Sequence, residues 1–177
     1  MESQNEILDN EIIETNNGVE DQYIISAYKF IFLSIISFGL YQLWWTYKAW
    51  RFYKQKEKTD IQPALRTIFG IFYLTSLFNK ILYSAREKNY TESYSSGTLF
   101  VGYFILNVLA RLPDPFWMIS LLSFAFFIPP FKALNFVKLN SPDLTVIEQD
   151  SFSGKQIALI VFGSLFWALV IYGIVEG

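Results

Sequence analysis

Long uncharged stretches alternate with short charged ones along most of this chain. Four of these stretches are 17 to 20 residues long and have a charged residue at each end. An α-helix rises 1.5 Å per residue, so about 20 apolar residues cross the roughly 30 Å hydrocarbon core of a bilayer. The pattern therefore predicts four transmembrane helices, at about residues 24–47, 94–111, 115–131 and 156–175.

The segment 64–83 is less clear. Only 13 uncharged residues lie between Arg66 and Lys80, which is short for a full crossing. Its polar and small residues recur in steps of three or four and form one weakly polar stripe on a helix. We predict an interfacial amphipathic helix here, with a fifth span as the alternative. The predicted fold is an all-α integral membrane protein with four transmembrane helices plus one interfacial amphipathic helix.

Residues 41–58 combine aromatic and basic side chains. Seven of the thirteen residues from Tyr41 to Tyr53 are aromatic, and five cations follow within eleven positions. At 100° per residue most of the cations share one arc of about 120°, and most of the rings lie opposite. The pattern predicts a basic aromatic helix that continues from the first span. The candidate residues facing lipid or a partner are Lys48, Arg51, Lys54, Lys58, Trp45 and Trp50.

Two interpretations of this basic aromatic helix remain open. Aromatic rings and cytoplasmic lysines are ordinary features of membrane proteins, where they set depth and orientation. Alternatively, the cations bind anionic lipid headgroups or another membrane protein. Nucleic acid also attracts cations and rings, but the bilayer already requires the rings, so no nucleic-acid partner is expected.

The acidic residues are unevenly distributed. Seven of the sixteen lie in the first 21 residues, and the remainder of the chain is apolar and net basic. Residues 1–22 contain too little apolar surface to fold alone. We therefore predict an acidic disordered tail at 1–22 and a single helical membrane domain at 23–177.

The distribution of cations bears on topology. Four spans place twelve of the 14 cations on one face, and leave only Lys29 and Arg111 on the other. This strong bias agrees with the positive-inside rule, whereas five spans divide the cations more evenly. A re-entrant hairpin at Gly39 within residues 24–47 is a third possibility.

A few polar residues fall at predicted membrane depth, where they cost free energy and mark candidate pathways. Asn107 lies within a predicted span. Arg111 and Asp114 lie at the tip of a predicted helical hairpin, in the sequence ARLPDPFW. These three are the candidate intramembrane polar residues of a small transporter or a lipid-binding protein. In the structural alternative Asn107 bonds a neighbouring helix and the other two face the headgroups.

The chemistry of the chain argues against catalysis. It contains no cysteine and no histidine, which removes the commonest nucleophile–base pairs and the commonest metal ligand. No glycine-rich phosphate loop is present. We therefore expect no enzyme activity, no cofactor and no metal.

Several short motifs occur after residue 25: a Gly-Leu/Ile-Tyr element, an aromatic run similar to YWFYKNW, and a Pro-x-x-Arg segment. The residues at these positions are Gly39-Leu40-Tyr41, Trp44-Trp45, Tyr47-Lys48, Trp50, and Pro63 with Arg66. With the later RLPDPFW turn and the last apolar stretch, most of the chain after residue 25 resembles a family of uncharacterised bacterial multi-pass membrane proteins that carry a domain of unknown function. The resemblance implies an integral protein of the bacterial inner membrane and assigns no activity. The expected function is non-enzymatic docking of anionic lipid or a partner through the basic aromatic helix.

Overall fold

The computed structural model describes residues 19–176, which are mostly helical. They form seven α-helices, two stretches of 3₁₀-helix and a pair of short strands. In chain order these are β1 (Gln22–Ile24), α1 (Ala27–Ile36), α2 (Leu40–Lys56), α3 (Pro63–Ile68), α4 (Gly70–Arg86), α5 (Ser96–Val108), a 3₁₀ turn (Leu109–Arg111), a 3₁₀-helix (Phe116–Phe127), α6 (Ile128–Leu139), β2 (Val146–Glu148) and α7 (Gly154–Glu176).

The first predicted span is a helical hairpin rather than one rod. α1 ends at Ile36, and the chain reverses through Phe38 and Gly39, both with positive φ. Glycine adopts this left-handed conformation without a steric penalty, which is why the reversal occurs here. Phe30 of α1 then packs against Tyr41 and Trp45 of α2, with ring centroids 5.9 and 6.0 Å apart.

A second hairpin follows later in the chain. α5 and its 3₁₀ turn end at Arg111, and the chain returns as the 3₁₀-helix Phe116–Phe127. That helix runs directly into α6, which has Pro129 and Pro130 in its first turn. Proline is tolerated there because N–H groups in the first turn of an α-helix have no partner within that helix. Ser95 caps α5 by accepting a hydrogen bond from the Thr98 amide.

Only the second half of residues 64–83 packs into the helical core, because α3 has no buried residue. Pro63 starts α3, and the chain bends at Phe69 before α4 begins at Gly70. One face of α4 is buried, and its members recur at helical spacing: Leu74, Leu77, Phe78, Ile81, Leu82 and Ala85. The stripe seen in the sequence is therefore the outer side of a core helix.

The two strands join distant parts of the chain. β1 and β2 pair in parallel, with Gln22 opposite Val146 and Ile24 opposite Glu148. Val19 is buried in the core. Most of the predicted acidic tail, residues 1–18, lies outside the described residues, but the folded chain already includes residues 19–22.

α7 has little protein around it. It packs beside α1, where Gly163 meets the backbone of Ile36 and Trp167 Nε1 donates to the Ile35 carbonyl at 3.3 Å. Only 6% of the 18-residue apolar stretch of this helix is buried. Exposed side chains on α7 include Phe162, Leu165, Leu169 and Val175. A helix of this composition requires an apolar environment or a partner to cover it.

The prediction of four transmembrane helices plus one interfacial helix is wrong, and so is the five-span alternative. Within residues 19–176 two helical stretches are long and apolar enough to cross a membrane, namely Phe116–Leu139 and Gly154–Glu176. Ala27–Ile36 and Ser96–Arg111 are apolar but shorter. The number of uncharged residues overestimated helix length, because the backbone reverses inside the stretch 30–47 without any charged residue to signal it.

Candidate functional site: a basic cleft between α2 and α6

The aromatic half of α2 is part of the protein core. Trp45, Trp50, Phe52 and Tyr53 are buried. Trp45 meets Phe127 edge-on at 5.8 Å between ring centroids. The candidate lipid-facing residues Trp45 and Trp50 thus lie inside the helical domain, where their large apolar area stabilises packing.

Two cations of α2 lie over aromatic rings, one ring exposed and the other in this aromatic core. Lys48 Nζ is 5.7 Å from the Trp44 ring centroid and Lys56 Nζ is 5.6 Å from that of Phe52. Arg66 of α3 covers the other side, with its guanidinium carbon 4.5 Å from the Trp50 ring centroid. These contacts hold positive charge against rings whose faces are electron-rich.

Many cations gather at one end of the domain, which we call the basic end. Lys56 Nζ lies 3.5 Å from Ser141 Oγ, Lys88 Nζ donates to the Asn140 carbonyl at 2.8 Å, and Lys29 Nζ donates to the Gln149 carbonyl at 2.6 Å. These contacts bring the end of α2 and the segment after α4 to the end of α6, and the start of α1 to the segment before α7. Partial burial, followed by repulsion from Lys88, lowers the pKa of Lys56.

The opposite end contains both hairpin turns, and we call it the hairpin end. The ring of Phe38 stacks on Trp167 at 4.7 Å and on Trp117 at 6.2 Å between centroids. Both contacts are apolar. The second turn also carries one exposed charge of each sign, Arg111 and Asp114, so the hairpin end lacks the excess of cations found at the basic end.

A cleft of about 780 Å³ opens between α2, α6, the strand pair and the start of α7. Its charged lining comprises four cations and two acids: Lys48, Arg51, Lys138, Lys155, Glu20 and Asp21. Leu40, Trp44 and Leu159 contribute apolar lining. We call this the basic cleft.

Two of the candidate cations line the basic cleft. Lys48 is exposed there, and Arg51 forms an ion pair with Glu20. Lys54 and Lys58 do not line it. They belong to the same helix and the turn after it, and Lys58 is exposed.

Lys138 is the unexpected member of the basic cleft. Its side chain projects from α6 and is 8% exposed, and its Nζ lies 5.5 Å from the Phe52 ring centroid. The sequence offers one signal for this burial, because Leu134, Val137 and Ser141 occupy the same face of the helix. Sequence reasoning missed this signal by counting Lys138 only as a surface cation.

Gln156 is a second residue that sequence reasoning missed. Its Nε2 donates to Tyr41 Oη at 3.2 Å, and its Oε1 accepts from Gln149 Nε2 at 2.7 Å and from the Ser153 amide at 2.9 Å. Gln156 thus ties the start of α7 to α2 at the wall of the cleft.

The three candidate intramembrane polar residues lie apart from the basic cleft. Asn107 Nδ2 donates to the Tyr103 carbonyl at 2.9 Å and lines a separate cavity of about 220 Å³. Arg111 and Asp114 are exposed at the second hairpin turn and do not line that cavity. Asp114 accepts from Trp117 Nε1 at 2.6 Å, and within residues 19–176 the ion pairs are Arg51–Glu20 and Lys80–Glu57.

In the described part of the chain, no three Asp, Glu, His or Cys side chains are placed to hold a metal ion. No protein-family model matches the sequence, and no curated protein or solved structure matches it significantly. The cleft must therefore be interpreted from its own geometry and charge.

Proposed function

We propose that the protein is a non-enzymatic membrane protein that enters the bilayer with its hairpin end and docks anionic lipid at its basic end. The observation that carries the proposal is the exposure of α7, whose apolar surface has almost no protein cover. In water each fully exposed large apolar side chain forgoes roughly 1.5–3 kcal/mol of burial. Hydrocarbon removes that cost for the whole helix.

Helix lengths support this placement. α7 has 23 residues, so it is about 35 Å long and exceeds the roughly 30 Å hydrocarbon core. Trp167 lies about 20 Å from the start of α7, and Phe38 stacks on it. The α1–α2 hairpin therefore enters partway as a re-entrant element while α7 crosses.

The charges support the same orientation. With α7 crossing the bilayer, the basic end lies at a headgroup layer, where each cation gains about 1 kcal/mol near anionic lipid. Membrane association is the general conclusion. The finer proposal of a bacterial cytoplasmic membrane rests on the sequence resemblance alone.

The placement is tested by cysteine labelling, because the chain has no native cysteine. Single cysteines at Gln55, Ser95 and the exposed Asn140 lie at or near the basic end, and one at Glu176 lies at the far end of α7. With a membrane-impermeant maleimide on intact cells, we expect the first three to be shielded and Glu176→Cys to react. Shielding of all four would show that α7 does not cross, and external labelling at Ser95 would contradict the orientation.

Lipid docking is tested on protein extracted in polymer-bounded native nanodiscs. We expect phosphatidylglycerol to be enriched over the bulk membrane, and the enrichment to fall between about 50 and 500 mM NaCl because salt screens the cations. The double reversal Lys54→Glu with Lys58→Glu should reduce it, whereas Lys54→Arg with Lys58→Arg should not. Enrichment that is insensitive to both salt and reversal would reject this function.

A further inference from the structure

The basic cleft contains a buried cation without a counter-ion in the described part of the chain. The Lys138 ammonium takes part in none of the ion pairs found within residues 19–176, although its residue is 8% exposed. The Phe52 ring at 5.5 Å gives only partial compensation. Lys138 lines the cleft but reaches little water there, and an opposite charge or hydrogen bonds would replace the hydration that its ammonium has lost. An anion in the cleft would supply both.

The surrounding charges favour the same kind of ligand. Lys48 and Lys138 both line the cleft, and their like charges repel each other. Of the two acids in the lining, Glu20 already forms an ion pair with Arg51, and Asp21 is exposed and forms none of the ion pairs among the described residues. An anionic group between Lys48 and Lys138 would turn this repulsion into two attractions, and phosphate oxygens accept hydrogen bonds from ammonium groups.

The shape of the cleft identifies the rest of the ligand. Toward the C-terminal half of α2 the lining includes Lys48, Arg51 and Gln55, whereas toward its start it includes Leu40 and Trp44. Leu159 of α7 extends this apolar side. A volume of about 780 Å³ is in the range of sites for sizeable small molecules and far exceeds the needs of a single inorganic anion. Charge at one end and hydrocarbon at the other match an amphiphile.

We propose that the basic cleft binds one anionic phospholipid, with its phosphate between Lys48 and Lys138 and its acyl chains leaving past Leu40, Trp44 and Leu159. This site rests on the proposed function, because the acyl chains require the cleft to open to a bilayer. The site goes further than the proposed function because it binds one specific lipid molecule, whereas the proposed function requires only a general attraction to anionic headgroups.

The test is native mass spectrometry of the full-length protein in a neutral detergent, titrated separately with phosphatidylglycerol and phosphatidylcholine. We expect one phosphatidylglycerol per protein at low lipid concentration and no comparable phosphatidylcholine adduct. Lys138→Met keeps the side-chain length and removes the charge, and it should weaken phosphatidylglycerol binding at least about tenfold, equivalent to about 1.4 kcal/mol. Lys132→Met, an exposed lysine on the same helix, is the matched control and should leave the affinity unchanged.

Several results would overturn the site. Equal affinities for wild type, Lys138→Met and Lys132→Met would do so, as would displacement of the lipid by millimolar inorganic phosphate, which would indicate a phosphate site instead. If Lys138→Met does not fold, Lys48→Gln, at an exposed position, takes its place. It should then weaken phosphatidylglycerol binding at least about tenfold, and an unchanged affinity would overturn the site. Salt-sensitive lipid enrichment in nanodiscs without a one-to-one adduct would leave the proposed function intact and reject this site alone.

Discussion

Gly163 of α7 packs directly against the carbonyl oxygen of Ile36, the last residue of α1. A methyl group on Gly163 would overlap that oxygen, and backbone cannot move aside as a flexible side chain can. We predict that Gly163→Ala lowers the free energy of unfolding by about 1–3 kcal/mol, as overpacking does elsewhere.

The control for this prediction is on the same helix. Nothing lies within 4 Å of a Cβ placed on Gly173, so Gly173→Ala should leave stability unchanged or raise it slightly, since alanine favours helix. Thermal unfolding in detergent micelles, followed by near-UV circular dichroism, compares the two. Equal melting temperatures for both variants would mean that α7 does not pack on α1 in this way.

The reversal between α1 and α2 depends on the backbone of Gly39. Its φ of 85° is costly for a residue with a Cβ, by about 1–2 kcal/mol. Gly39→Ala should destabilise the protein by roughly that amount, measured by the same thermal unfolding. Gly70→Ala, at an open helical position, should not, and a neutral Gly39→Ala would argue that the chain continues straight through residues 24–47.

The Gln156 side chain joins three hydrogen bonds at the wall of the cleft. Gln156→Leu leaves the Ser153 amide without its acceptor and should cost about 1–3 kcal/mol. Tyr41→Phe removes one bond but keeps the ring and should cost about 0.5–1.5 kcal/mol. In a double-mutant cycle the two effects should be non-additive, because they share a bond; strict additivity would show that this bond contributes nothing.

Glu20 lines the basic cleft, and its carboxylate pairs with Arg51. Glu20→Gln removes a negative charge that would repel the proposed lipid phosphate, so it should tighten phosphatidylglycerol binding severalfold in the native mass-spectrometry titration. Glu148→Gln removes the same charge from an exposed position on β2 and serves as the control. Weaker binding in Glu20→Gln would mean that Glu20 holds the cleft open rather than blocking it.

The ionisation of Tyr90 makes the free energy of unfolding depend on pH in the alkaline range. Burial, followed by the hydrogen bond to Glu92, raises its pKa to about 12. Because the folded state holds the proton more tightly, this stabilisation is present below the ordinary tyrosine pKa of about 10. It is lost as pH rises from about 10 to 12.

Tyr90→Phe keeps the ring that packs on Phe136 at 4.9 Å and removes the titrating group. Denaturant midpoints measured from about pH 9 to 11 should fall less steeply in this variant than in wild type. Identical slopes would show that Tyr90 ionises equally well in the folded and unfolded chains.

The limits of the sequence are clearest at α2. The periodicity of residues 41–58 separates rings from cations, and α2 keeps that separation in the structure. The sequence pattern did not show what covers the rings, since a bilayer interface and a protein core both favour aromatic side chains. Trp50 is covered by Arg66, and Trp45 by Phe30 and Phe127, and these contacts exist only once the helices pack.

By itself, the sequence determined the helical class and the excess of cations after residue 21, because periodicity and charge are local properties. It predicted four transmembrane helices, and only the folded helices show that two are long and apolar enough to cross a membrane. Only the tertiary structure decided that residues 24–47 turn back at Gly39, since a single φ angle leaves no trace in hydropathy. Only packing brought Lys138, Lys48 and Arg51 to one cleft. Their positions depend on how α6 packs against α2, which is some 90 residues away in the chain. Helix propensity is a local property, whereas the burial of a side chain depends on the helix that packs against it.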